Sequence, residues 1–192
     1  MLSEKGPLTW IDSYGGPLLL LSRQYMQSWK GYNPPWLQRG KVAESDYDLD
    51  DSQIADEEET DYDRAGAVAA GEYLGVLEVD GGQAVVFGDM PMSTAWWPIS
   101  ETEGIFIRWM YGEDPPSLLQ RLLPIADDIW TPTEFTMHMD HEPLYLFDSV
   151  SPGVEDPQHL SIVLAEGEYA IDFAIVHPDS RTELILHRLR RL

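Results

Sequence analysis

EYLGVLEVDGGQAVVF, residues 72–87, reads as two short apolar runs folded about Asp80, Gly81 and Gly82. Glycine reaches positive φ at little steric cost, and turns of that hand match the right-handed twist of paired strands. The stretch therefore predicts an antiparallel hairpin, Glu72–Val79 against Gln83–Phe87. The same pattern recurs outward in both directions. In the run from Ile105 to Tyr111 side chains alternate, which places Ile105, Ile107, Trp109 and Tyr111 on one sheet face and Arg108 on the other. Tyr169, Ile171, Phe173 and Ile175 alternate likewise, Pro178-Asp179-Ser180 turns, and Thr182–Leu189 returns as the last hairpin strand. Further strands are expected at Leu8–Ile11, Pro17–Leu21, Phe135–Met139, Leu144–Phe147 and Leu160–Leu164. The first two flank a tight turn at residues 12–16, and Phe135–Met139 and Leu144–Phe147 are read as joined at Asp140-His141-Glu142-Pro143.

Helical signals are fewer. Ser22 is placed to cap a short helix carrying Tyr25 and Trp29 and ending at Gly31, after which Pro34 and Pro35 block continuation. Asp114 before Pro115 and Pro116 reads as a second helix start, with Leu118, Leu119, Leu122 and Leu123 on one stripe until Pro124. The predicted class is α+β, predominantly antiparallel β sheet with one or two short helices, in a single domain over residues 1–192.

That length buries most of its unfolded surface, and seven Trp, nine Tyr and five Phe supply the apolar area for a core. No cysteine is present, which excludes disulfides and thiolate chemistry and suits a reducing cytoplasm. The first residues lack a basic start and apolar core of a signal peptide, and the longest aliphatic run, Leu18–Leu21, is far short of a membrane span. A soluble, unprocessed, cytoplasmic protein is expected.

Charge supplies the strongest functional signal. ESDYDLDDSQIADEEETDYD, residues 44–63, holds eleven carboxylates and no basic side chain, half of the chain's formal charge of −22. On composition it reads as an exposed inserted loop at about residues 43–63, with one turn of helix at Ala55–Glu59. Such a field repels nucleic acid and anionic membrane and draws in a basic protein. The candidate binding residues are Asp46, Tyr47, Asp48, Asp50, Asp51, Asp56, Glu57, Glu58, Glu59, Asp61, Tyr62 and Asp63. Their carboxylates would pair with arginines that otherwise grip a nucleic-acid backbone, and Tyr47 and Tyr62 would act as stacking anchors. A loop that only keeps the chain solvated is the competing reading.

Eight phrases, in order, carry a family resemblance: WIDSYGGPL (10–18), WKG (29–31), DYDRA (61–65), FGDMP (87–91), TAW (94–96), RW (108–109), PDSRT (178–182) and LHRL (186–189). Together they resemble the immunity protein 21 family of bacterial polymorphic toxin systems. Gly66, and the length and acidity of residues 44–59, depart from that pattern. The resemblance implies a mostly β domain, encoded beside a toxin, that protects its own cell by binding that toxin, and it transfers no catalytic residue. With the charge, it points to a cognate protein toxin of a basic, nuclease type as partner. No enzyme activity and no cofactor are expected, and the oligomeric state stays open.

Other chemistry has weaker support. Asp46-x-Asp48-x-Asp50 with Glu57 approximates a calcium-loop spacing, but Asp51 occupies the position that needs glycine. His138 and His141, three apart, would point to opposite faces of a strand. Ser13 before Tyr14-Gly15-Gly16 is turn chemistry, and His177 and His187 read as polar strand positions. Trp96, Trp97, Trp109 and Trp130 suit the core or a covered edge. Arg181, Arg188, Arg190 and Arg191 answer neighbouring acids. A small acidic hydrolase or sugar-active enzyme, and a ligand-binding or structural β module with an incidental acidic loop, remain as alternatives.

Overall fold

The computed structural model describes residues 8–33, 59–69, 73–88, 92–111, 125–155 and 157–192. Among them run eleven strands: β1 (Trp10–Ile11), β2 (Leu18–Ser22), β3 (Leu74–Val79), β4 (Gly82–Phe87), β5 (Ser93–Ser100), β6 (Glu103–Tyr111), β7 (Thr131–Met139), β8 (Leu144–Asp148), β9 (His159–Ile162), β10 (Gly167–Asp179) and β11 (Thr182–Arg191). One α-helix, α1 (Asp61–Ala69), and 3₁₀ turns at Arg23–Ser28, Asp127–Ile129 and Gly153–Glu155 complete the described elements. Every strand pairing is antiparallel, in a six-stranded sheet ordered β1-β5-β6-β11-β10-β7 and a five-stranded sheet ordered β3-β4-β2-β8-β9. The expected class, mostly antiparallel sheet with little helix, is the class observed.

The sheets meet over a shared apolar layer. Leu18, Leu20, Val85, Phe87 and Leu146 of the smaller sheet pack with Phe106, Met137, Tyr169, Ile171 and Leu189 of the larger. Phe87 and Phe106 touch edge to face across the layer, centroids 4.9 Å apart. Strand β2 is central, and it explains its own sequence: Leu18 and Leu20 enter the layer while Leu19 and Leu21 face the opposite side beside Met26, Trp29 and Ala65. A strand covered on both faces carries a continuous apolar run where a half-exposed one would alternate.

The 72–87 hairpin forms as β3 and β4, with Asp80 at φ 52° and Gly81 at φ 81° making the turn. The terminal hairpin forms as β10 and β11, in register from Tyr169 opposite Arg191 to Val176 opposite Leu184. On β6, Ile105 and Ile107 face outward with Trp97, Trp109 and Trp130, while Phe106 and Arg108 point into the inter-sheet layer. Trp96 packs against that layer from β5.

Several expectations are corrected. Leu8–Ile11 and Pro17–Leu21 do not pair, because β1 joins β5 in one sheet and β2 joins β4 and β8 in the other; residues 12–17 carry the chain between sheets. Strands β7 and β8, adjacent in sequence, are divided in the same way. Strand β5 was not anticipated, since its run of Trp96, Trp97 and Pro98 masks an alternating edge-to-centre strand. Ser22 does not cap the following turn. Its hydroxyl reaches the Asp140 carboxylate instead, and the segment winds as a 3₁₀ turn that stops before Trp29. Asp61–Asp63, expected within the acidic loop, open α1 instead. The helix expected at 114–124 and the calcium-like spacing at 46–57 lie outside the described residues, as does the helical turn expected at Ala55–Glu59 apart from Glu59 itself.

Candidate partner-binding surface

Three segments far apart in sequence are laced together at one end of the smaller sheet. Asp148, at the end of β8 and buried, accepts the backbone N–H of Tyr14 on one carboxylate oxygen and that of Val150 on the other, the latter at 2.9 Å. Ser149 N–H donates to the Pro17 carbonyl at 3.1 Å, locking the 12–17 turn to the same segment. Within the turn the Ser13 hydroxyl accepts the Gly15 N–H at 3.0 Å and donates to the Gly16 carbonyl. Gly15, at φ 131°, occupies backbone space that other residues avoid. Tyr14 is consequently held on a fixed turn with 81% of its surface exposed.

The second segment follows β2. Trp29, fully buried, donates its indole N–H to the Ser149 carbonyl at 3.0 Å, and Gly153 N–H returns to the Trp29 carbonyl at 2.9 Å. Gly31 then turns left-handed at φ 61°, and a Cβ there would sit 2.4 Å from the Val150 carbonyl oxygen. The turn delivers Tyr32, 46% exposed, with its N–H bound to that same oxygen at 2.9 Å.

The third segment is the start of α1. Thr60 N–H and hydroxyl donate to the Asp63 carboxylate at 2.9 and 2.6 Å, while Asp63 N–H donates back to the Thr60 hydroxyl at 3.2 Å. This reciprocal cap satisfies helix-end donors, and the acids of the first turn complement the helix dipole. Asp61 accepts Lys30 N–H at 2.8 Å and the Arg64 guanidinium at 2.8 Å, and Arg64 also reaches the Glu78 carbonyl at 2.7 Å. Tyr62 lies over Gly16, where a Cβ would fall 2.4 Å from its ring, and meets Tyr32 edge to face at 5.9 Å.

Of the sequence-predicted binders, Glu59, Asp61, Tyr62 and Asp63 fall here. Glu59 and Asp63 are exposed, whereas Asp61 and Tyr62 are half-buried among the contacts just given. Asp46, Tyr47, Asp48, Asp50, Asp51, Asp56, Glu57 and Glu58 lie outside the described residues. Sequence reasoning overlooked Tyr14 and Tyr32. The signal was present, since each sits beside a glycine that turns the backbone left-handed or nearly so and pushes the neighbouring side chain outward.

Elsewhere, several ionisable groups are paired structurally. His138, on β7, pairs with Glu168 at 2.6 Å, and His141, in the turn after β7, pairs with Glu166 at 3.0 Å, so each histidine meets its own carboxylate at the start of β10. Arg188 binds Asp172 and covers the Trp130 ring, its carbon 4.6 Å from the centroid, and Arg190 adds a 3.6 Å contact to Asp172. His177 is exposed and pairs with Glu183, but His187 is fully buried beside the Arg108 guanidinium, which corrects its reading as an ordinary polar strand position. Burial, then the Arg108 charge, holds the His187 imidazole well below its usual range. Among the described residues no group of three or more His, Asp or Glu is arranged to hold a metal ion, and no helix is long and apolar enough to cross a membrane.

A family model described as Immunity protein 21 matches residues 9–182. No curated protein and no solved structure matches the chain.

Proposed function

From the premise that this chain belongs to the immunity protein 21 family, we propose that it neutralises a cognate toxin protein of a basic, nuclease type by covering the toxin's active-site cleft. The observation that carries the toxin class is charge: −22 overall, with eleven carboxylates between residues 44 and 63. A nuclease grips phosphates with arginine and lysine, so an array of carboxylates offers the same partners to the same side chains. The chain acts stoichiometrically in the cytoplasm of the toxin-producing cell, without turnover of its own.

Magnitudes divide the labour. An exposed ion pair contributes about 0–1 kcal/mol, so carboxylates such as Asp56–Glu59 govern encounter more than retention. Retention needs a packed, desolvated centre with a few contacts above about 2 kcal/mol each. The decisive experiment mixes the purified chain with the product of the neighbouring toxin gene. A 1:1 complex with lost nuclease activity is the expected result. Failure to bind that product, or turnover of a small substrate by the isolated chain that one carboxylate substitution removes, overturns the proposal in favour of an enzyme.

A further inference from the structure

We infer that Tyr14, Tyr32 and Tyr62 form the aromatic anchor of the toxin interface, a platform for an arginine-bearing face of the partner; the inference rests on the immunity reading above. Singly exposed aromatic side chains need no explanation. These three differ because the 12–17 turn and the 29–33 segment converge on the 148–153 segment, by the hydrogen bonds from Tyr14, Ser149, Tyr32 and Gly153, and the start of α1 is tied to the second of them by Lys30 N–H to the Asp61 carboxylate at 2.8 Å and Tyr62 N–H to the Gly31 carbonyl at 3.4 Å. Tyr62 fills the space above Gly16 and its ring edge meets Tyr32, so one tyrosine braces the supports of the other two.

Such a platform suits an anchor on two physical grounds. Tyrosine brings a large contact area with only two side-chain torsions to order, and here the backbone beneath is already held. Interface hot spots are accordingly rich in tyrosine. The occupant follows from charge. Asp12, Glu59, Asp63 and Glu155 are exposed on the same three segments and on the adjoining 153–155 turn, and a ring face attracts a guanidinium that carboxylates have drawn close. A second copy of the chain, itself at −22, is repelled, and so is nucleic acid.

The two roles separate kinetically. Carboxylates set the association rate and its salt dependence, while desolvated anchors set the release rate. Association and release are measured between the full chain and the full toxin encoded beside it, for wild type, Tyr14→Ala, Tyr32→Ala and Tyr14→Phe. Either alanine variant is expected to release the toxin at least about thirtyfold faster, the size of a hot-spot loss, with an unchanged association rate and salt slope. Tyr14→Phe keeps slow release, because the ring face makes the contact. Thermal unfolding midpoints of the Tyr14 variants match wild type, since that side chain is 81% exposed. If wild type binds but both alanine variants release within about twofold of it, the anchor is wrong while the immunity reading stands. If Tyr14→Phe releases as fast as Tyr14→Ala, the guanidinium contact is overturned. Absence of any wild-type complex overturns both.

Discussion

Asp172 and Arg188 face each other in register across β10 and β11, and the arginine's Nε–H and Nη2–H both donate to one carboxylate oxygen, at 2.9 and 2.6 Å. Asp172 is 2% exposed, and the guanidinium plane covers Trp130. The pair sits where the larger sheet's outer face leaves water, so its strength depends on both partners being present.

Asp172→Asn takes the short-range counter-charge from the largely buried Arg188, which keeps only Glu103 and Asp127 at 4.0 Å, while the half-exposed Arg190 stays solvated. Breaking a buried pair from one side costs about 3 kcal/mol or more, whereas an apolar replacement of both partners costs less. Urea unfolding of Asp172→Asn and of Asp172→Leu with Arg188→Leu should show that order. Equal stability of Asp172→Asn and wild type would remove the pair from the account.

His187 makes stability pH-dependent. It lies between the Phe87 and Phe173 rings, centroids 5.1 and 5.7 Å away, with the Arg108 charge acting on it and no hydrogen-bond partner among the described residues for either ring nitrogen. The unfolded imidazole gains a proton near its ordinary 6.5, and the folded one, held lower, does not. This contribution is fully present above that value and is lost as pH falls from it toward the folded pKa, with a slope approaching about 1.4 kcal/mol per pH unit. His187→Phe removes the dependence. Unfolding free energies at pH 7, 6 and 5 should therefore diverge between wild type and variant, with wild type losing ground on acidification. Parallel curves would contradict the burial of a neutral imidazole.

Gly104→Ala tests the inter-sheet layer. A Cβ there would lie 2.2 Å from Trp96 Cζ2, and Trp96 is wedged against Phe106 with centroids 4.6 Å apart. Overpacking of this kind costs about 1–3 kcal/mol. The midpoint of urea unfolding drops and tryptophan emission changes together.

Thr60→Ala removes half of the reciprocal cap on α1. The loss of such a cap costs about 1 kcal/mol. Hydrogen exchange should quicken in residues 61–65 while β10 and β11 keep their protection.

Neutralising Asp56, Glu57, Glu58 and Glu59 together slows toxin association strongly at low salt and much less at high salt, because screening removes the same long-range attraction. Stopped-flow association at two ionic strengths reads this directly. An association rate that does not change would move the encounter surface away from the acidic segment.

The hairpin turn at Asp80-Gly81 and the faces of Ile105, Ile107 and Arg108 were legible locally, because turn chemistry and side-chain alternation act within a few residues; the last turn, read at Pro178-Asp179-Ser180, falls at Ser180-Arg181, since Pro178 and Asp179 continue β10. Helix α1 was not. Its start lies inside an acidic run whose composition argues for solvent, and what makes it a helix is the Thr60 cap together with Ala65 packing against the smaller sheet. Tyr62 was identified as an anchor from its place among charges, while Tyr14 and Tyr32 needed the convergence on residues 148–153 to stand out.

Composition and pattern alone settled most of the strands, the Asp80-Gly81 turn, the family phrases and the anionic character, since each depends on neighbours in the chain or on a sum over it. Division of adjacent strands between two sheets, the burial of His187 with Arg108, and the gathering of three tyrosines at one end were decided by the folded molecule. Those features depend on which faces are excluded from water, and contacts between residues far apart in the chain leave no periodic mark along it.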